Sequence, residues 1–188
     1  MAGLRLFVAV EIPQEIRKVL SAIIEKISSV GGVKWVEIEN THLTLLFLGE
    51  QEEASLPAIV DSLRMAAKPL ISFQIKLGGF GAFPNFRNPK TFFVPVKEGE
   101  KSLENLVERL SVALQERKIS FGLKPFHGHV TLGRSKTLKG LPVVLDSLSG
   151  SLPELLGEMN VQHFVLFQSR LTEKGPIYTA LEKFKIGA

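Results

Sequence analysis

The sequence predicts an α+β fold: a bilobal, duplicated arrangement of two antiparallel-rich sheets with outer helices around a central cleft. Three observations predict it. A short pattern occurs twice, as His42-Leu43-Thr44-Leu45 and His129-Val130-Thr131-Leu132, 87 positions apart. Each copy closes a segment that opens on an apolar run, at Leu4 in one case and Thr91 in the other, and each opening lies 38 positions ahead of its histidine. Between opening and histidine runs a helical pattern, so strand, helix and His-bearing strand recur in one order. With four His and seven Thr, a Thr two after a given His arises about 4% of the time, and two such coincidences roughly once in a hundred sequences of this composition. The copies share little other identity. The whole reads as one domain, 1–188, of two pseudo-symmetric lobes, with sequence halves of roughly 1–90 and 91–188.

Leu4 to Ile12 is dense in Leu, Phe, Val and Ile and reads as a buried strand. Pro13 then opens a helix in which Ile16, Val19, Leu20, Ile23, Ile24 and Ile27 recur at spacings of three and four, and Gly31-Gly32 ends it. Val33 to Val36 is a short strand. His42 to Leu48 is a strand closed by Gly49, Glu52 to Lys68 is helical, and Ser72 to Leu77 alternates as a half-buried strand does. The Gly, Pro and Asn of Gly78 to Phe86 mark a loop. The opening order then returns, with Thr91 to Val96 a strand, Leu103 to Leu114 an amphipathic helix and His129 to Arg134 a strand. Two strands, at about Val161 to Phe167 and Ile177 to Phe184, finish the fold.

At 45% hydrophobic and 22% charged residues the chain is that of a folded protein. It has no cysteine, which excludes disulfides, thiolate nucleophiles and Cys-based zinc sites together. The net charge of +4 leans toward anionic partners, and no block of like charges resembles a nucleic-acid tail, so an anion is met in a local site. The first apolar run soon meets Glu11 and Pro13 and is too short for a signal peptide or a membrane span. The expectation is a cytoplasmic protein with no membrane and no obligate protein partner.

Along a strand, His and Thr two apart share a face, so each copy offers an imidazole and a hydroxyl together. A lone His-x-Thr is usually structural; two in duplicated positions point to a site. Pseudo-twofold symmetry sets the two strands face to face across the cleft. Two facing imidazoles suit acid–base attack on a phosphodiester: with an ordinary pKa near 6.5, one ring accepts a proton from water while its protonated partner gives one to the departing oxygen. Thr44 and Thr131 are then placed to hydrogen-bond the non-bridging oxygens as their charge grows. The spacing leaves open which histidine is the acid. This chemistry needs no metal and no cofactor.

The chain resembles the two-histidine phosphoesterases, specifically the RNA 2',3'-cyclic phosphodiesterases, also called LigT-like or 2'-5' RNA ligase-like proteins. The carrying segments are Arg5 to Val10, Val33-Lys34-Trp35-Val36, Thr41 to Glu50, Gly79 to Pro84, His129 to Arg134, and Leu171 to Tyr178, in the family's order over nearly the whole chain. The resemblance implies metal-independent opening of an RNA 2',3'-cyclic phosphate, or of a cyclic nucleotide, to a 2'-phosphate, with tRNA processing among the roles. It makes His42 the proton donor to the departing O3' and His129 the acceptor that activates water. Arg134 is the family's basic residue beyond the second motif and suits a phosphate. Positions 129 and 134 fall on opposite faces of a regular strand, so Arg134 reaches the cleft only if a bend or bulge intervenes.

The chain departs from the family where Phe126-His127-Gly128, rather than a Pro, precedes His129. His127 shares a face with His129, but two imidazoles without a carboxylate make a poor ligand set; His127 is read as tuning His129 or touching substrate. His163 is read as structural. Phe47, two past Leu45, is expected in the core. Trp35 and Phe83, near turns, are the candidates for stacking on RNA bases ahead of Phe86, and Lys34, Arg87 and Lys90 for an electrostatic path. Two alternatives stand beside hydrolysis: 2'-5' RNA ligation, which is the same chemistry reversed, and a non-catalytic RNA or nucleotide-binding module.

Overall fold

The computed structural model describes residues 3–28, 32–136, 141–173 and 175–187. The strands are β1 (Leu4–Glu11), β2 (Val33–Trp35), β3 (His42–Gln51), β4 (Phe73–Leu77), β5 (Gly81–Phe83), β6 (Thr91–Glu98), β7 (His129–Ser135), β8 (Gly157–Val161), β9 (His163–Thr172) and β10 (Gly175–Lys185). The α-helices are α1 (Gln14–Ile27), α2 (Leu56–Ala67), α3 (Glu100–Glu116) and α4 (Leu141–Ser151). Short 3-10 turns at Ile38–Asn40 and Glu53–Ser55 precede β3 and α2. No helix among the described residues is long and apolar enough to cross a membrane.

The strands pair in the order β10-β9-β1-β3-β7-β6-β4-β8, with β2 added to β7 and β5 to β6. Every recorded pairing is antiparallel. The path divides at its middle, because β3 and β7 pair only at Leu43 and Val130. On one side lie β10-β9-β1-β3, with α2 against β10 and α3 against β3; on the other lie β7-β6-β4-β8, with α1 reaching β8 and α4 packed on α1. These are the two antiparallel-rich sheets with outer helices that the duplication predicts.

The spatial lobes do not follow the sequence halves 1–90 and 91–188. The first sheet takes β1 and β3 from one half and β9 and β10 from the other, and the second takes β4 from the first half. Helices cross too: α1 leaves β1 and lays Ile16 over Gly157 of β8, where an added Cβ would meet that side chain at 3.1 Å. Each sheet is therefore buried by chain from both halves, which ties the lobes into one core. Leu20, Ile59, Leu63, Leu103, Leu106 and Leu110 are wholly buried on the helical layers, each stabilising the fold by about 1.5–3 kcal/mol relative to exposure. Gly99 caps α3 at φ +88°, and a side chain there would drive into the Gln74 carbonyl at 2.5 Å; only glycine meets both demands.

Several expected boundaries move. β3 does not stop at Gly49 but runs through it to Gln51, the glycine taking φ +70° at an irregularity where Phe7 faces Phe47 and Leu6 faces Gly49. The Gly78–Phe86 stretch holds the three-residue strand β5, paired to β6, before a cis Phe83-Pro84 bond. α4 and β8 carried no readable signal. α4 buries Val144 and Leu148, at one spacing of four, amid Ser, Gly and β-branched residues, and β8 is too short for alternation to register. Val161 ends β8, and β9 starts at His163. Of the pair expected to end α1, Gly31 lies outside the described residues and Gly32 adopts φ +90°.

Candidate active site

The single Leu43–Val130 pairing fixes the geometry of the cleft. Both are fully buried, so the residues flanking them on each strand point the other way. In an antiparallel register centred on that pair, His42 lies across from Thr131, and Thr44 across from His129. All four side chains thus share one face around a pseudo-twofold axis. The two histidines are diagonal neighbours, a relation that spaces residues about 7–8 Å apart with their Cβ atoms somewhat closer, which brings both rings within reach of one small anion. The sequence predicted these four residues, and the fold brings all four together.

Each imidazole is aimed by the same device. His42 Nδ1–H donates to the carbonyl of Asn40 at 2.7 Å, and His129 Nδ1–H donates to the carbonyl of His127 at 2.7 Å. A carbonyl can only accept, so Nδ1 carries the proton and Nε2 is left free to take or give one. The 3-10 turn ahead of β3 presents the Asn40 carbonyl, and Phe126-His127-Gly128 presents its counterpart ahead of β7. Glycine fits at 128, where a Cβ would meet Val96 at 2.8 Å. His127 is exposed and serves His129 through its backbone. Among the described residues neither threonine hydroxyl has a hydrogen-bond partner, so both are available to a ligand.

Aromatic rings wall each histidine. Phe7 lies 5.0 Å from His42, and Tyr178 meets it edge-on at 5.3 Å; Phe7 stacks in turn on Phe167 at 5.2 Å. Across the cleft, Phe83 and Phe93 stack at 4.2 Å and each stands 5.1 Å from His129. Burial among these rings pushes the pKa of both histidines below the ordinary value. The hydrogen bond to each carbonyl partly offsets that, while His129 and Arg17 lower His42 further, and His127 and Arg134 lower His129. A cavity of about 150 Å³ opens beside His42, lined by Phe7, Glu11, Arg17, Asn40 and Tyr178 among others.

Arg134 reaches the cleft by the bulge its position requires. Phe93 pairs with Thr131 but Phe92 with Gly133, so Leu132 is the extra residue. Leu132 and Gly133 are both buried and Arg134 emerges on the face of His129 and Thr131. There its field acts on both His129 and Tyr178. Lys34 of β2 pairs with Arg134 in register and joins it on that face; Arg87 and Lys90 are exposed near the β5–β6 turn. Trp35 is not brought to the site. It packs at 6.4 Å on the buried Phe92, the face of β6 opposite Phe93, and its Nε1 is buried without a partner. The cause is register: Trp35 pairs with Gly133, which the bulge has turned inward. His163 is structural, its Nε2 3.2 Å from Glu11, which Lys183 also holds at 2.9 Å. Phe47 is not in the core but 58% exposed. Phe7, Phe93, Phe167 and Tyr178 carried no signal of their own in the sequence, since an aromatic in an apolar strand reads as core.

Comparison with known proteins identifies the family. A profile of the family described as LigT like phosphoesterase matches twice, over residues 10–93 and 94–178, one match for each His-x-Thr. An RNA 2',3'-cyclic phosphodiesterase of Archaeoglobus fulgidus is 40% identical over 185 residues, covering 97% of this chain and all of the relative. One of Thermotoga maritima is 35% identical over 179 residues, covering 95% and 93%. Among solved structures, a protein of Thermus thermophilus superposes with a TM-score of 0.83 at 34% identity, over 98% of this chain and 99% of that one.

Proposed function

The chain belongs to the LigT-like phosphoesterase family, and from that premise we propose that it opens the 2',3'-cyclic phosphate at an RNA end, or of a cyclic nucleotide, to a 2'-phosphate, without a metal or cofactor. One observation carries the reading: two imidazoles, each with Nδ1 pinned to a carbonyl at 2.7 Å, face one cleft beside two unengaged threonine hydroxyls. The cyclic phosphate sits between them. Neutral His129 takes a proton from water through Nε2 as the water oxygen bonds to phosphorus. The P–O3' bond breaks opposite, and His42 gives its Nε2 proton to O3'. The product carries a 2'-phosphate and a 3'-hydroxyl, and proton exchange with solvent resets the pair. Thr44, Thr131 and Arg134 hydrogen-bond the non-bridging oxygens, where charge builds.

The lowered pKa values bear on both rings alike. Burial leaves both rings neutral at neutral pH in the free protein, and an arriving phosphate anion favours the charged form of a neighbouring imidazole. At His129 the fields of His127 and Arg134 oppose that charging, and at His42 those of His129 and Arg17 do the same; the assignment of His129 as the base follows the family resemblance. We place the reaction in the cytoplasm, with tRNA fragments among its substrates; its only partner is then the RNA or nucleotide itself.

A second reading is 2'-5' ligation, in which an RNA 5'-hydroxyl replaces water. The stacked Phe83 and Phe93 beside His129 favour it, since they offer a surface for the nucleoside that brings that hydroxyl. The deciding experiment incubates an oligoribonucleotide ending in a 2',3'-cyclic phosphate with EDTA and wild type, His42→Ala or His129→Ala. A 2'-phosphate product from wild type and none from either variant is expected. RNA bound but never turned over makes the protein a binding module, and loss of activity with EDTA makes it a metal hydrolase.

A further inference from the structure

We infer that the hydroxyl of Tyr178 is a further phosphate ligand, donating to a non-bridging oxygen of the cyclic phosphate on the side of His42. The inference rests on the phosphodiesterase reading above. The chain has one tyrosine, and β10 sets it against the proposed proton donor. Its ring meets His42 edge-on at 5.3 Å and Phe7 at 5.0 Å. The other rings that wall His42 and His129 are those of Phe7, Phe83 and Phe93, none with a hydroxyl. A phenyl ring would pack on Phe7 and His42 as well as this one does, so packing does not account for the oxygen. A tyrosine hydroxyl held among buried rings usually finds a hydrogen-bond partner, and among the described residues this one has none.

β10 is fastened to the same residue that aims His42. Asn40 accepts His42 Nδ1–H at its carbonyl, and its side-chain Nδ2 donates to the carbonyl of Pro176 at 3.4 Å, two residues before Tyr178. One anchor thus positions the imidazole and the phenol together. The surrounding charges say what the hydroxyl faces. Arg134 and Arg5 both act on it, and Arg134 acts on His129 as well. A guanidinium near both Tyr178 and His129 sets the hydroxyl on the cleft side, where the phosphate binds. Burial, before any other cause, raises the pKa of the phenol against those two fields. The group is therefore protonated at neutral pH and acts as a donor. Thr44 and Thr131 are related by the pseudo-twofold axis, but no ring beside His129 offers a hydroxyl to match that of Tyr178. The two non-bridging oxygens are then held unequally.

Tyr178→Phe removes the oxygen and keeps the ring. Kinetics of wild type and Tyr178→Phe on 2',3'-cyclic AMP and on the two diastereomers of its cyclic phosphorothioate test the inference. Loss of one hydrogen bond to a charged group is expected to lower kcat/KM on cyclic AMP roughly 10- to 150-fold. Sulfur is a weak acceptor. The diastereomer that carries it where the hydroxyl donates is expected to be slow with wild type and to lose little more with the variant, while the other loses the full factor. The pH profile of kcat/KM keeps its midpoint in the variant, because the hydroxyl acts on the phosphate and not through His42. An unchanged kcat/KM, an equal loss on all three substrates, or a loss accompanied by a shifted profile overturns the inference. If wild type turns over none of the three, the hydrolase reading falls, and calorimetric binding of 2'-AMP still judges Tyr178: binding weakened in the same range by Tyr178→Phe supports it, and equal binding overturns it.

Discussion

Replacing the bridging O3' of the cyclic phosphate by sulfur separates the acid from the base. An alkoxide needs a proton as it leaves, whereas a thiol has a pKa of about 8.5 and departs as thiolate. His42→Ala removes the proposed donor and leaves Thr44, Thr131, Arg134 and His129 in place, each held by its own strand. The loss is then the proton-transfer share alone. General acid catalysis contributes roughly 10²- to 10⁴-fold, or about 3–5.5 kcal/mol of barrier. On the oxygen substrate, His42→Ala is expected to lose that much in kcat, while on the 3'-thio substrate it stays within about tenfold of wild type. His129→Ala is expected to fall by a similar factor on both, because water must still be activated. Single-turnover hydrolysis with saturating enzyme gives the chemical step. His42 also touches Phe7 and Tyr178, so binding of 2'-AMP to the variant is measured alongside to show that the cleft persists. The double variant is expected to lose far less than the product of the single losses, since the two act in one step. An equal fall of His42→Ala on oxygen and sulfur refutes the acid assignment, and rescue of His129→Ala by sulfur reverses the two roles.

Two further outcomes follow from the same geometry. Because burial, before any other cause, lowers the pKa of both histidines, kcat/KM, which reports the free enzyme, is expected to peak below about pH 6.5 and fall as pH rises through neutrality. The kcat profile, which reports the complex, is expected to extend further toward alkaline pH, because bound phosphate favours the imidazolium; a kcat/KM optimum more than about one unit above the ordinary imidazole pKa would contradict this. Arg134→Ala is expected to lose roughly 10²- to 10³-fold in kcat, as for one lost donor to a developing oxyanion, and Arg134→Lys to recover part of it. Since Arg134 lowers the pKa of His129, its removal is also expected to move the limb that reports His129 to higher pH; an unmoved limb with a full rate loss would mean that Arg134 acts only by holding structure.

Much of the site was legible because chemistry and period lie in the chain itself. The repeated His-x-Thr needs only the two-residue period of a strand to place an imidazole and a hydroxyl together, and its recurrence with the same preceding strand and helix identifies a duplication. Arg134 shows how far such reasoning goes: five positions from His129 is an odd step, so a bulge had to intervene, and it does at Leu132. Phe47 stands at the same odd step from His42, yet its even step from Leu45 assigns it to the core. Leu45 is itself the bulged residue, which reverses the alternation beyond it. Trp35 fails for a related reason, its face being set by pairing with Gly133 beyond the second bulge. α4 and β8 went unread because their few buried residues give no sustained period.

The sequence by itself determined the α+β class, the duplication and the residues proposed here as acid, base and phosphate ligands, since these depend on residue type and local period. Only the tertiary structure decided that each lobe draws strands and helices from both halves, that Asn40 and His127 lend their carbonyls to the histidines, and that Phe47 stands exposed while Trp35 packs on Phe92. Those outcomes depend on which strands pair and where a single extra residue interrupts the ladder. Pairing across long separations is fixed by the burial of the whole core, which no local stretch of sequence contains.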